Sequence, residues 1–199
     1  MTRRKIDALL ASGGVVLTVV LIVAGALAFW GYRFTYSSVR TQLAAQKIYF
    51  PPKGSEALAE PEIGRYLNKY AGQQLVTGEQ AKAYADHFIA VHLKGVADGQ
   101  TYAQVSSKAL ANPDDEQLAG QAATLFKGEA LRGLLLTTFA FWKMGQLALI
   151  GSVAAFALAA IMFVLTVLGF WHMRRAGRRE HETATATVRT NGSREFVDA

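Results

Sequence analysis

The most constraining feature of the chain is a pair of long apolar runs, Ala8 to Trp30 and Met144 to Trp171, neither of which contains Asp, Glu, Lys, Arg or His. At 1.5 Å of rise per residue, a helix needs roughly 20 apolar residues to cross about 30 Å of hydrocarbon, and both runs exceed that length. Such a chain reads as an integral membrane protein. Of its 199 residues 51% are hydrophobic and only 18% charged, and the excess is concentrated in these two stretches. What remains outside them is too short for a large catalytic domain.

The charged residues assign the orientation. Arg3, Arg4 and Lys5 precede the first run, and Arg174, Arg175, Arg178 and Arg179 follow the second, within the zone where Lys and Arg resist translocation. Both termini are therefore expected on the cytoplasmic face of the plasma membrane, with the segment between the runs outside. The net charge of +6 does not mark a nucleic-acid partner. The excess hugs the two ends, where anionic lipid headgroups explain it, while the middle segment mixes both signs as a solvated surface does. The first run competes with a signal peptide, since Met1-Thr-Arg-Arg-Lys5 resembles an n-region and Ala26-Leu-Ala28 a cleavage site. A signal core spans about 7 to 15 residues, so the length of Ala8 to Trp30 favours an uncleaved anchor. Trp30, Tyr32, Trp142 and Trp171 stand where an interfacial aromatic belt is expected.

Small residues supply the expected packing surfaces. Gly151, Ala155 and Ala159 recur every fourth residue, Ser152 lies beside them, and the first run offers Gly14 with Thr18 and Ala24 with Ala28. Stripes of this kind let helix backbones approach, either between the two spans or between copies of the chain. With no ionisable group inside either span, an ion pathway or proton relay has nothing to run on.

Between the spans the pattern is helical throughout. The first helix meets no breaker until about Gln46, ahead of Pro51-Pro52. A short helix follows Pro61 and ends at Gly72; Thr77 with Gln80 forms a capping box; Thr101 caps a further helix through Leu110. Asn112-Pro113-Asp114-Asp115-Glu116 marks another start, with a cap, a proline at the first helical position and acids at the positive helix end. Residues 128–143 are amphipathic and aromatic, which suits a segment lying at the membrane surface before a bend near Gly145; a single helix running on into the membrane is the alternative. The expected class is all-α: a basic N-terminus (1–7), a first transmembrane helix (8–31), a small extracytoplasmic helical domain (32–127), the interfacial segment (128–143), a second transmembrane helix (144–172) and an unfolded basic, Thr-rich tail (173–199).

The stretches Ala45-Gln-Lys-Ile-Tyr-Phe-Pro-Pro-Lys-Gly54, Tyr66-Leu-Asn-Lys-Tyr-Ala-Gly72 and Phe141-Trp-Lys-Met-Gly-Gln146 resemble the middle of a family of small actinobacterial two-span membrane proteins. The resemblance runs from about Lys5 to Arg175. Some members of that family are labelled aromatic ring-opening dioxygenases, and the resemblance therefore implies a non-haem iron site. An extradiol site rests on two His and one carboxylate. Only His87 and His92 lie between the spans, and five residues apart on an α-helix they point about 140° from each other. His92 follows Tyr84 and Phe88 at steps of four, which reads as a partly buried core or interface histidine. Adjacent Asp86 and His87 do not face one another on a helix. Ser106-Ser107-Lys108 lacks a catalytic partner, Gly13-Gly14 lies inside a span and so forms no phosphate loop, and Asp114-Asp115-Glu116 is explained by its helix start. With Cys 0, disulfides, thiolate metal sites and cysteine nucleophiles are excluded.

The residues thus assign no catalytic, cofactor-binding or metal site. They point to a structural or accessory membrane subunit that contacts lipid and associates with itself or with another cell-envelope membrane protein. Two spans around a helical outer segment also fit a ligand-sensing module, and the labelled dioxygenase is the third reading.

Overall fold

The computed structural model describes the backbone of residues 3–195 and the side chains of residues 9–175. Six α-helices account for most of it: α1 Arg3–Ala45, α2 Pro61–Leu67, α3 Gly78–Tyr84, α4 Ala90–Val96, α5 Tyr102–Ala111 and α6 Glu116–Glu195. A π-helical turn, Ala85–Ile89, joins α3 to α4, and 3-10 turns occupy Glu56–Leu58 and Asn68–Tyr70. No strand occurs among the described residues, only an isolated antiparallel bridge between Tyr49 and Gln74. Two helices are long and apolar enough to cross a membrane, over Leu9–Ala45 and Glu116–Arg175, with mean hydropathies of 2.4 and 2.6 in their most apolar windows. The chain divides into two compact units, one of Met1–Phe29 with Ile150–Ala199 and one of Trp30–Leu149.

In the first unit α1 and α6 run antiparallel, since Gly14 meets Thr166 while Gly25 meets Ser152 and Phe156. The side of α1 turned to α6 is Ala11, Gly14, Thr18, Leu21, Gly25 and Ala28, all buried or half-buried, and the side of α6 turned to α1 is Ser152, Ala155, Ala159, Met162, Thr166 and Gly169. Both series alternate steps of three and four. That is the heptad spacing that keeps one seam facing a partner helix along a shallow left-handed crossing. Small residues dominate it, so the backbones come close and van der Waals contact supplies the attraction.

In the second unit the short helices pack on the long ones around a core that includes Leu43, Phe50, Ile63, Leu67, Leu75, Val105 and Leu135. Gln74 Nε2 donates to the Ala44 carbonyl at 2.8 Å, satisfying one of the orphan acceptors where α1 ends. The Thr77–Gln80 capping box forms at the start of α3, and buried Gln80 also accepts from Val76 N and donates to Gln73 Oε1, so every polar atom of its amide is used. A second box, Thr101–Gln104, starts α5. Two glycines of this unit lie under large side chains: a Cβ on Gly78 would overlap Trp142 of α6, and one on Gly128 of α6 would overlap Leu93 of α4. Gly72 and Gly99, both at positive φ, end their helices as only glycine does without strain.

Three local expectations are corrected. The helix after Asn112 begins at Glu116, and its cap is Asp115, whose Oδ1 accepts from Gln117 N and Leu118 N, both at 3.0 Å; Pro113 lies in the turn before it. Residues 128–143 are no separate interfacial segment: α6 passes Gly145 unbroken, because a lone glycine costs a helix only about 1 kcal/mol and no proline follows Pro113. The helical backbone also continues to Glu195 through most of residues 173–199, where the composition suggests an unfolded tail; the side chains beyond Arg175 lie outside the described residues.

Candidate functional site

The chemistry-bearing side chains fall into three groups. The first is the seam of the unit formed by Met1–Phe29 and Ile150–Ala199. Ser152 is buried, and its Oγ donates across to the Gly25 carbonyl at 2.9 Å. Ala159 is buried and Ala155 half-buried in the same seam. Gly151 faces outward, with nothing within 4 Å of where a Cβ would stand. A four-residue step on a helix advances about 40° beyond a full turn, so a row of every fourth residue drifts off any contact face. Alternating steps of three and four do not drift in this way. The contact series is therefore Ser152, Ala155, Ala159, Met162 and Thr166. Thr18 Oγ1 returns to its own helix, donating to Gly14 O at 2.7 Å, whereas Thr166 Oγ1 is buried against Gly14 without a conventional partner. Gly25, Phe156 and Thr166 were not singled out by composition. The three-four spacing common to both runs marks Gly25 and Thr166, whereas Phe156 stands outside that series and only its ring reaches Gly25.

The second group is aromatic. Trp30 is 66% exposed and stacks on Phe34 at 5.7 Å. Trp171 is 58% exposed and lies under the Arg175 guanidinium at 5.3 Å. Tyr32 is half-buried. Trp142, by contrast, is only 8% exposed. Gly78 leaves room for the indole, which packs on the start of α3 and against Tyr36, 4.9 Å away. Lys143, next in sequence, pairs with Glu79 at 2.7 Å, and it and Lys82 flank the Phe139 ring. Arg174 is exposed, while the side chains of Arg3, Arg4, Lys5, Arg178 and Arg179 lie outside the described residues.

The third group surrounds the π turn. Asp86 is bonded to Lys82 and lies 3.5 Å from Arg132 Nη2, and Arg132 Nη1 is 3.3 Å from Glu129. Partial burial pushes the Asp86 carboxyl up, but the hydrogen bond from Lys82 and the charges of Lys82 and Arg132 outweigh it and hold the group below the usual carboxylate range. His87 stacks on Tyr66 with ring centroids 3.6 Å apart and planes at 6°. Desolvation lowers its pKa, assisted by the Lys82 charge and opposed by Asp86. His92 is exposed, and its Nδ1 lies 2.7 Å from the Phe88 carbonyl, so Nδ1 carries the proton that this oxygen accepts. The expectation of a partly buried His92 is thus corrected. The row that enters the core is Ala81, Ala85, Ile89, Leu93 and Ala97. On an α-helix that four-residue row would drift, but the wider π turn at its centre takes up an extra residue and keeps it facing inward. The Tyr84–Phe88–His92 row stacks alongside it and reaches the surface. Among the described residues, no three His, Asp or Glu side chains are placed to hold a metal ion together.

No protein-family model, curated protein or solved structure matches this chain.

Proposed function

We propose that the chain is a non-catalytic integral membrane protein of the cell envelope, a structural or accessory subunit that associates with itself or with another membrane protein. One observation carries the reading. The most apolar windows of α1 and α6 are only 17% and 11% buried, so these helices present long apolar flanks, among them Leu17, Ile22, Leu27, Ile150, Ile161 and Leu165, to their surroundings. Water does not tolerate an uncovered apolar surface of that extent, whereas lipid or a partner helix does. The seam residues face each other within the chain, leaving the outward faces of both helices for lipid and for a partner.

The orientation belongs to the same proposal: arginines at both ends in the cytoplasm, and residues 32–143 outside as a helical domain. Likeness to the actinobacterial two-span family fits the reading and stays part of it. The experiment is cysteine placement in a chain that has none. Ser55→Cys and Ser106→Cys should react with an impermeant thiol reagent on intact cells, and Ser193→Cys should react only after lysis. Labelling of the opposite sense would refute the topology, and release of the protein by alkaline carbonate would refute the integral character. Affinity purification in mild detergent with mass spectrometry then identifies the partner; a protein recovered only as a free monomer after crosslinking would refute the subunit role.

A further inference from the structure

In the unit Trp30–Leu149, the side of α6 opposite buried Leu135 and Trp142 carries an exposed row at steps of four and three: Phe126, Ala130, Gly133, Thr137, Ala140 and Met144. That spacing keeps one row facing a partner helix, yet none of the described residues covers this one. The charges of the stretch, Lys127, Glu129, Arg132 and Lys143, all stand off the row. The Thr137 hydroxyl donates to the Gly133 carbonyl of its own helix at 2.9 Å, so the row offers water little. Leu134 and Phe141 widen it along one edge, and both are more than half exposed.

Lipid does not account for this face. Gly145 lies against Thr35, and Gln42 shares a groove with Thr138, which sets exposed Arg33 and Arg40 of α1 level with about Leu147 and Ala140 of α6. Those arginines mark where hydrocarbon ends. At 1.5 Å per residue Leu134 stands about 20 Å and Phe126 about 30 Å beyond Leu147, whereas the headgroup layer on one side of a bilayer is only about 5–8 Å deep. An apolar face at that height calls for a protein partner.

We propose that this face pairs with the same face of a second copy of the chain, α6 against α6 about a two-fold axis along the membrane normal. The inference rests on the membrane reading above and names the partner that reading leaves open. Copies inserted in one membrane share an orientation, so their α6 helices meet in parallel and each residue of the row lies near its own counterpart. A surface meets itself in this way only if it brings neither like charges nor bulk to the axis. Ala130, Gly133, Thr137 and Ala140 satisfy both conditions, letting the backbones approach while Leu134 and Phe141 pack on the flank. Glu129 and Arg132 are paired with each other and Lys143 with Glu79, and a parallel pair holds Lys127 and its counterpart on opposite edges. The area suffices as well. Phe126, Leu134, Phe141 and Met144 are each more than half exposed, and with the small residues between them the face offers on the order of 800 Å², one side of a standard interface.

The chain has no cysteine, so single substitutions in native membranes read the contact directly. Under copper–phenanthroline oxidation, Ala130→Cys, Gly133→Cys, Thr137→Cys and Ala140→Cys should each convert most of the protein to a disulfide-linked dimer. Thr124→Cys and Leu131→Cys, exposed on other sides of α6, should give at least fivefold less. Ala130→Glu with Thr137→Glu sets like charges beside the axis and should cut the Ala140→Cys dimer at least tenfold, with the protein still retained in alkaline-washed membranes. Equal crosslinking at all six positions would show random collision and overturn the pair. A crosslinked product of another mass would give the face to a different protein and overturn it likewise. No crosslink at any position, with membrane retention intact, would overturn the pair and leave the membrane reading standing; release of the unsubstituted chain by alkaline carbonate would sink the membrane reading and the pair with it.

Discussion

Gly13 and Gly14 are neighbours on one helix and differ only in the direction they face, which makes them an internal control for the seam. A Cβ on Gly13 would meet nothing within 4 Å, whereas one on Gly14 would overlap Thr166 Oγ1 and touch Thr166 Cβ at 3.5 Å. Replacing either by alanine brings the same gain in helix propensity, up to about 1 kcal/mol. Gly14→Ala must in addition separate the helices or force Thr166 into another rotamer, an overpacking cost of about 1–3 kcal/mol. Gly13→Ala should therefore be neutral or stabilising, and Gly14→Ala should be less stable than Gly13→Ala by about 1–3 kcal/mol. Thr166→Ala removes the obstructing hydroxyl, so the double variant Gly14→Ala/Thr166→Ala should recover most of that difference, giving a coupling energy well above the few tenths expected of independent sites. Unfolding by sodium dodecyl sulfate titration from mild detergent, followed by far-ultraviolet circular dichroism, measures all four proteins. Equal midpoints for Gly13→Ala and Gly14→Ala would refute the close approach of α1 and α6 at this point.

Gly78→Ala should destabilise the unit Trp30–Leu149 by about 1–3 kcal/mol through its overlap with the Trp142 side chain, seen as faster amide exchange in α3. Acidification should weaken the same unit in two steps. His87, whose folded pKa lies below the unfolded value of about 6.5, contributes stability that is complete above that value and declines as pH falls below it; Asp86, also lowered, contributes stability that is lost as pH falls further, through its folded pKa below the usual carboxylate range. Thermal midpoints measured against pH should lose the first step in His87→Phe, which keeps a ring on Tyr66, and the second in Asp86→Asn; an unchanged profile in both would refute the assignment. His92→Ala should change stability by no more than about 0.5 kcal/mol because the ring is exposed, and a loss several times larger in chemical denaturation would return His92 to the core.

Length and charge made the two long helices legible, because a run without charge over more than twenty residues has few other uses. Caps were legible for a comparable reason: the Thr77–Gln80 pairing is local and complete within four residues, and Thr101 caps α5 as expected, with Gln104 completing a second box that was not read. Two features resisted reading. The π turn has no signature in residue type, so a stepwise count from Tyr84 to His92 placed the wrong row in the core; the inward row is built partly of alanines, Ala81, Ala85 and Ala97, which carry little hydropathy signal. The burial of Trp142 was not legible because an aromatic beside an apolar run looks exposed wherever it points, and what covers it is Gly78, far away in sequence. The seam was half legible. Small residues announced close packing, but every fourth residue was the wrong period for a pair of long helices, and so Gly151 stood in for Thr166.

A seam with a seven-residue repeat poses a problem of register, since two such helices slipped by one heptad would still oppose contact positions to contact positions. The side chains present resolve it by matching size across the seam. Phe156 lies over Gly25, whose Cβ would come within 3.1 Å of the ring, and Thr166 lies over Gly14. A slip of seven residues along α1 would carry Phe156 from Gly25 to Thr18 in one direction or to Tyr32 in the other, and the latter slip would also take Thr166 from Gly14 to Leu21. Each alternative sets a larger side chain where the present arrangement has no side chain at all. The Ser152 hydroxyl donates to the Gly25 carbonyl, beside the position where the missing side chain lets the helices approach. Across membrane helices such a bond is worth on average about 0.6 kcal/mol, too little to drive association. Steric matching at two glycines rejects the slipped pairings, and the Ser152–Gly25 hydrogen bond falls where the steric match is already satisfied.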